Sequence, residues 1–83
     1  MDNNPYSNSG KRWSNDEDEQ IIQLYNVEML DIGDICKRHK RFIGGITSRL
    51  KGKNIITNAT EVRGYEDFIQ SDEYREMKNY KKI

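Results

Sequence analysis

The 14 bases and 14 acids of this chain cancel in total but are segregated along it. Residues 35 to 53 carry Lys37, Arg38, Lys40, Arg41, Arg49, Lys51 and Lys53 and no acid. Residues 14 to 34 carry Asp16, Glu17, Asp18, Glu19, Glu28, Asp31 and Asp34 and no base. A basic block of this kind suits phosphate groups, so the neutral total hides a local cationic face. Other chemistry finds less support. Cys36 and His39 have the spacing of half a zinc site, yet the chain has no second Cys or His to complete it. As a nucleophile pair they lack a third orienting group. Asp16, Asp18 and Gln20 fit the first ligand positions of a calcium loop, but Ile21 stands where Gly is needed and Val27 where Glu is needed. No catalytic residue, metal, cofactor or small-molecule substrate is therefore expected. The string Lys37-Arg38-His39-Lys40-Arg41 also has the composition of a nuclear-import signal.

Composition frames these residues. A chain of 83 residues is one small domain, 34% apolar and 34% charged. Its single cysteine excludes an intrachain disulfide, and the expected setting is intracellular and reducing. No apolar run approaches the ~20 residues of a membrane span, and Met1 is followed by polar residues, so neither a membrane partner nor a secretion signal is expected.

The periodicity predicts an all-α fold. Residues 1 to 10 have the composition of a flexible tail. Ser14 and Glu17 make a capping-box spacing, and Ile21, Leu24 and Tyr25 continue a helical stripe over about 15 to 28. Asp31 and Asp34 open a second, short helix over 32 to 40, with Ile32, Ile35, Cys36 and His39 inward. Gly33 weakens it by up to ~1 kcal/mol. A third helix over about 43 to 51 buries Ile43, Ile46 and Leu50 and turns Gly44, Ser48 and Lys51 outward, with Gly45 and Thr47 on its flanks and Gly52 as its stop. Asn58 and Glu61 start a C-terminal extension, and Ser71-Asp72-Glu73 restarts it, giving one kinked helix or two short ones. The apolar residues of that extension (54 to 83) call either for packing on the core or for a homodimer interface through residues 61 to 80.

Trp13-Ser14 with Glu17-Asp18, then Ile35-Cys36, Arg41, Gly45-Ile46 and Ser48-Arg49-Leu50, resemble the Myb/SANT-like helix-turn-helix group over residues 11 to 53. The likeness is to the short variant found in bacterial and large DNA-virus proteins, which reads W-[ST]-x-x-E-D, I-A-x-x-H-G-R-[ST] and G-x-I-x-[SA]-R-L. The departures are Cys36 for Ala, Lys40 for Gly, and Phe42 for the Ser or Thr expected to cap the third helix. The resemblance implies a three-helix bundle whose third helix enters the major groove of double-stranded DNA, with the turn and second helix on phosphates. On that reading Lys11, Arg12, Lys37, Lys40, Arg41 and Lys53 touch the backbone, and Gly44, Thr47, Ser48 and Lys51 face base edges. Trp13 anchors the core between helices 1 and 3. Arg49 either pairs with Glu17, as the resemblance implies, or reaches DNA. The expected function is a small non-enzymatic DNA-binding protein, a regulator or genome-associated factor of modest sequence specificity. The alternative is a SANT-type protein-interaction module whose charged faces bind a protein partner.

Overall fold

In the computed structural model, which describes residues 4–81, the chain is all-α with no strand among the described residues. Three helices come first: α1 (Asn15–Asn26), α2 (Ile32–His39) and α3 (Ile43–Gly52). A 3-10 turn (Ala59–Glu61), α4 (Tyr65–Ile69) and α5 (Asp72–Lys81) follow. Helices α1, α2 and α3 pack pairwise, and the C-terminal elements close over α2 and α3.

Helix α1 starts where the capping spacing predicts. The Ser14 hydroxyl accepts the Glu17 N–H at 3.0 Å, and three acids sit in the positive first turn. It ends at Asn26, two residues earlier than the periodicity extends. The chain then turns through Met29 at φ 59°, and the Leu30 N–H closes on the Leu24 carbonyl at 3.0 Å. Helix α2 ends at His39 and is capped by Lys40, a left-handed residue (φ 55°), at the position where the Myb/SANT-like pattern that the chain resembles has Gly. Gly52 does not stop α3, which includes it; the left-handed turn falls on Asn54 at φ 62°.

The missing polar cap at Phe42 is supplied from elsewhere. The Phe42 N–H donates to the Ser9 hydroxyl at 2.9 Å and the Ile43 N–H to the Met77 sulfur at 3.4 Å. Two distant segments thus satisfy donors that α3 leaves open. This corrects the flexible-tail expectation for residues 4 to 10. Tyr6 is 7% exposed, its ring lies 5.2 Å from Phe42 and 5.5 Å from Tyr80, and Asn8 bonds to the Lys40 carbonyl. Residues 1 to 3 of that expected tail, and residues 82 and 83 of the extension, lie outside the described residues.

The extension forms two short helices, and Ser71 accepts the Tyr74 N–H at 3.2 Å at the restart. Val62, Phe68 and Met77 are buried in the same core as Ile21, Ile32, Ile35, Ile46 and Leu50. The apolar surface behind the homodimer expectation is thus largely used inside the chain, with Tyr80 left 37% exposed. Residues 11 to 53 and the extension share one core.

Gly33 explains how the extension fits. A Cβ there would stand 2.9 Å from the Phe68 ring, so the bare Cα is the seat of that side chain. Ala would gain up to ~1 kcal/mol of helix propensity but overpack by about 1–3 kcal/mol. Gly33→Ala is therefore expected to lower the melting temperature, although Ala is the better helix former. An equal or higher melting temperature would show that Phe68 yields freely.

Candidate nucleic-acid interface

The candidate residues divide by burial into internal ligands and surface cations. Arg41, expected on phosphate, is 3% exposed and lies inside the molecule. Its Nε and Nη2 each donate to a Glu17 carboxylate oxygen at 2.8 Å. Its Nη1 donates to the carbonyls of Asn8 (2.9 Å) and Lys11 (3.0 Å), and Nη2 also to that of Arg12 (3.3 Å). The guanidinium carbon lies 3.9 Å from the centroid of the Trp13 ring. The planar fork of Arg suits this many acceptors, and the site leaves it none for DNA.

Arg49 pairs with an acid of α1, but not with Glu17. Glu17 is already taken, and Arg49 makes a two-point bridge to Asp18, with Nε 2.9 Å from Oδ1 and Nη2 on Oδ2. Asp18 is 3% exposed, and the Lys53 ammonium stands 3.6 Å from it, so Lys53 is partly engaged inward as well. Trp13 is half-buried under these two arginines, Arg49 at 5.4 Å, and anchors through cation–π contact.

Two further candidates are engaged by other groups of the chain. Thr47 is 4% exposed and donates its hydroxyl to the Ile43 carbonyl at 2.9 Å. Lys37 pairs with Glu73 of α5 at 2.8 Å. Exposed and outside any of these ion pairs are Lys11, Arg12, Lys40, Gly44, Ser48 and Lys51. Arg38, which the candidate set omits, joins them. With Lys11 and Arg12 it lines an open depression of about 440 Å³ beside the start of α1, over Glu17 and His39. Asp18 was also missed, because it sits in a run of acids that reads as a solvated turn. Its spacing to Ile21 and Tyr25, at i+3 and i+7, was the available signal.

Charge in this region is set from within. The Arg41 hydrogen bond, working against burial and helped by His39 at 3.1 Å, holds the Glu17 carboxyl below its usual range. The Arg49 hydrogen bond does the same for Asp18 against its burial. Burial pushes the Cys36 thiol up to about 12, which leaves it protonated and unreactive. No group of three or more potential metal-ligating side chains occurs among the described residues. No helix among them is long and apolar enough to cross a membrane.

These carboxylates set the acid stability. Their folded pKa values lie below the unfolded ones, so the unfolded chain binds protons first as pH falls. Their contribution is complete above about pH 5 and is lost as pH drops through the carboxylate range and below. Asp18→Asn is expected to cost about 1–3 kcal/mol at neutral pH, the worth of a charged hydrogen bond, and to melt with a flatter acid limb than wild type. Parallel acid limbs in thermal melts of the two proteins would show that Asp18 is not a stabilising anion.

Compared with known protein families, curated proteins and solved structures, this chain matches none of them.

Proposed function

We propose that the chain is a small non-enzymatic DNA-binding protein of the Myb/SANT-like helix-turn-helix kind, with α3 lying in the major groove. The observation that carries this reading is the disposal of the acids around α3. Glu17 is neutralised by the buried Arg41, and Asp18 by Arg49 and Lys53. Lys11, Arg12, Arg38, Lys40 and Lys51 are thereby left exposed, with no ion pair to any described residue. Five such cations form a phosphate-binding set, although the whole chain is neutral.

The outer surface of α3 supports the same reading. Gly44, Gly45 and Gly52 have negative φ, and a Cβ on any of them would meet nothing within 4 Å. Neither backbone strain nor packing requires these glycines, yet each costs a helix up to ~1 kcal/mol. A bare helix surface lets a partner backbone approach closely. With Thr47 turned inward and Lys51 in the phosphate-binding set, Ser48 is the side chain left to meet base edges. One short hydroxyl reads few patterns, so sequence preference is modest and the role is that of a general regulator or genome-associated factor.

The test is duplex affinity followed as salt is raised. Contacts through these five cations predict a log–log slope of roughly −4.5, and the double variant Lys40→Glu/Lys51→Glu should lose most of the affinity. Gly45→Ala/Gly52→Ala should melt higher than wild type, by up to ~1 kcal/mol per site, while binding duplex more weakly. Duplex affinity unchanged by the charge reversal would refute the reading and point to a protein partner for the basic face.

A further inference from the structure

Between α3 and the C-terminal extension lies a groove of about 230 Å³, walled by Tyr65, Ile69 and Tyr74 on one side and Ile43, Gly44 and Thr47 on the other. No charged side chain lines it. The Tyr74 wall is held in place by an edge-to-face contact with Phe68, ring centroids 5.7 Å apart. Neither the Tyr65 nor the Tyr74 hydroxyl has a hydrogen-bond partner among the described residues. Gly44 leaves the rim open, with nothing within 4 Å of the space a Cβ would take.

A helix of each wall of this groove also carries a lysine. Lys78 holds its ammonium 5.4 Å from the centroid of the Tyr74 ring. Lys51 continues the edge of α3 on which Gly44 and Thr47 stand, at i, i+3 and i+7, about 6 Å along the helix beyond Thr47. Neither lysine has an ion pair with a described residue. A flat aromatic ligand with hydrogen-bonding edges and an anion on either side fits this pattern, which is the chemistry of a nucleobase between two phosphates.

We infer that the groove receives one unstacked nucleobase from the strand that lies along α3, with its flanking phosphates on Lys51 and Lys78. The inference rests on the proposed DNA binding and extends it to a specific preference for DNA with an unpaired base. Extruding a base from an intact duplex costs free energy, and that cost is smallest where the base has no partner. Stacking in the groove then adds affinity that an intact duplex does not obtain without that cost.

The experiment compares three probes: an intact duplex, the same duplex with one unpaired 2-aminopurine, and a short oligothymidylate. Wild type is expected to bind the duplex with the unpaired base about tenfold more tightly than the intact one, with quenching of the 2-aminopurine fluorescence on stacking. Tyr65→Leu and Tyr74→Leu should remove that preference, whereas Tyr74→Phe, which keeps the wall, should retain it. Ile69→Trp, which fills the groove, provides a second way to abolish it if the leucine variants do not fold. Tight binding of intact duplex without preference for the unpaired base would overturn the groove assignment and leave the proposed DNA binding standing. Binding of oligothymidylate without intact duplex, lost in Ile69→Trp, would support the groove and overturn the duplex reading. Binding of none of the probes would overturn both.

Discussion

One buried guanidinium organises this small protein. Arg41 stands at the junction of α2 and α3, and its hydrogen bonds reach a helix α1 carboxylate and three carbonyls of the N-terminal segment. Taking an unpaired guanidinium out of water would cost several kcal/mol. Here every direction of the fork meets an oxygen, and the Trp13 face covers the plane. The segment so held carries Ser9, which caps α3, and Tyr6, which packs against Phe42 and Tyr80. The same interaction therefore places the start of α3, fixes the N-terminal segment across the α2–α3 turn and sets the electrostatics of α1.

The second bridge repeats this logic one residue further along α1. Glu17 and Asp18 are adjacent in sequence but lie about 100° apart around the helix, so they face different neighbours. Glu17 is spent on the α2–α3 turn and Asp18 on α3 itself. An arginine that serves as an internal ligand leaves the surface to lysines and to bases that nothing inside competes for. Division of this kind lets a chain of zero net charge present a cationic side.

The helices themselves were legible because their evidence is local. Ser14 caps α1, the apolar positions of α2 and α3 fall inward at 3.6-residue spacing, and Ser71 restarts the extension. Long-range pairings were not. Whether Glu17 meets Arg41 or Arg49 depends on helix rotations of a few tens of degrees, which periodicity does not resolve. Phe42 looked like a defect because its cap comes from Ser9, 33 residues away, and the neighbouring Ile43 N–H is met by Met77. Gly33 is a weakness by helix propensity alone, but the Phe68 ring takes the space a Cβ would fill. Residues 4 to 10 read as a tail because their only large apolar group, Tyr6, has no periodic partners, and the rings it packs against, Phe42 and Tyr80, are distant in sequence. Among the candidate site residues, Lys11, Arg12, Lys40, Ser48 and Lys51 are exposed, while Arg41 and Thr47 are internal.

The most direct test of this account is Arg41→Met, which keeps the length of the side chain and removes the fork. Removal of one partner of a buried pair costs about 3–5 kcal/mol, and in a domain of this size that lowers the melting temperature by more than about 10 °C. The account predicts such a loss in a thermal melt, together with faster amide exchange at Asn8, Lys11 and Phe42. A variant that melts with the wild type and instead loses affinity for duplex DNA would contradict it. Arg41 would then be a surface ligand, and the division between internal and outward-facing bases would not hold.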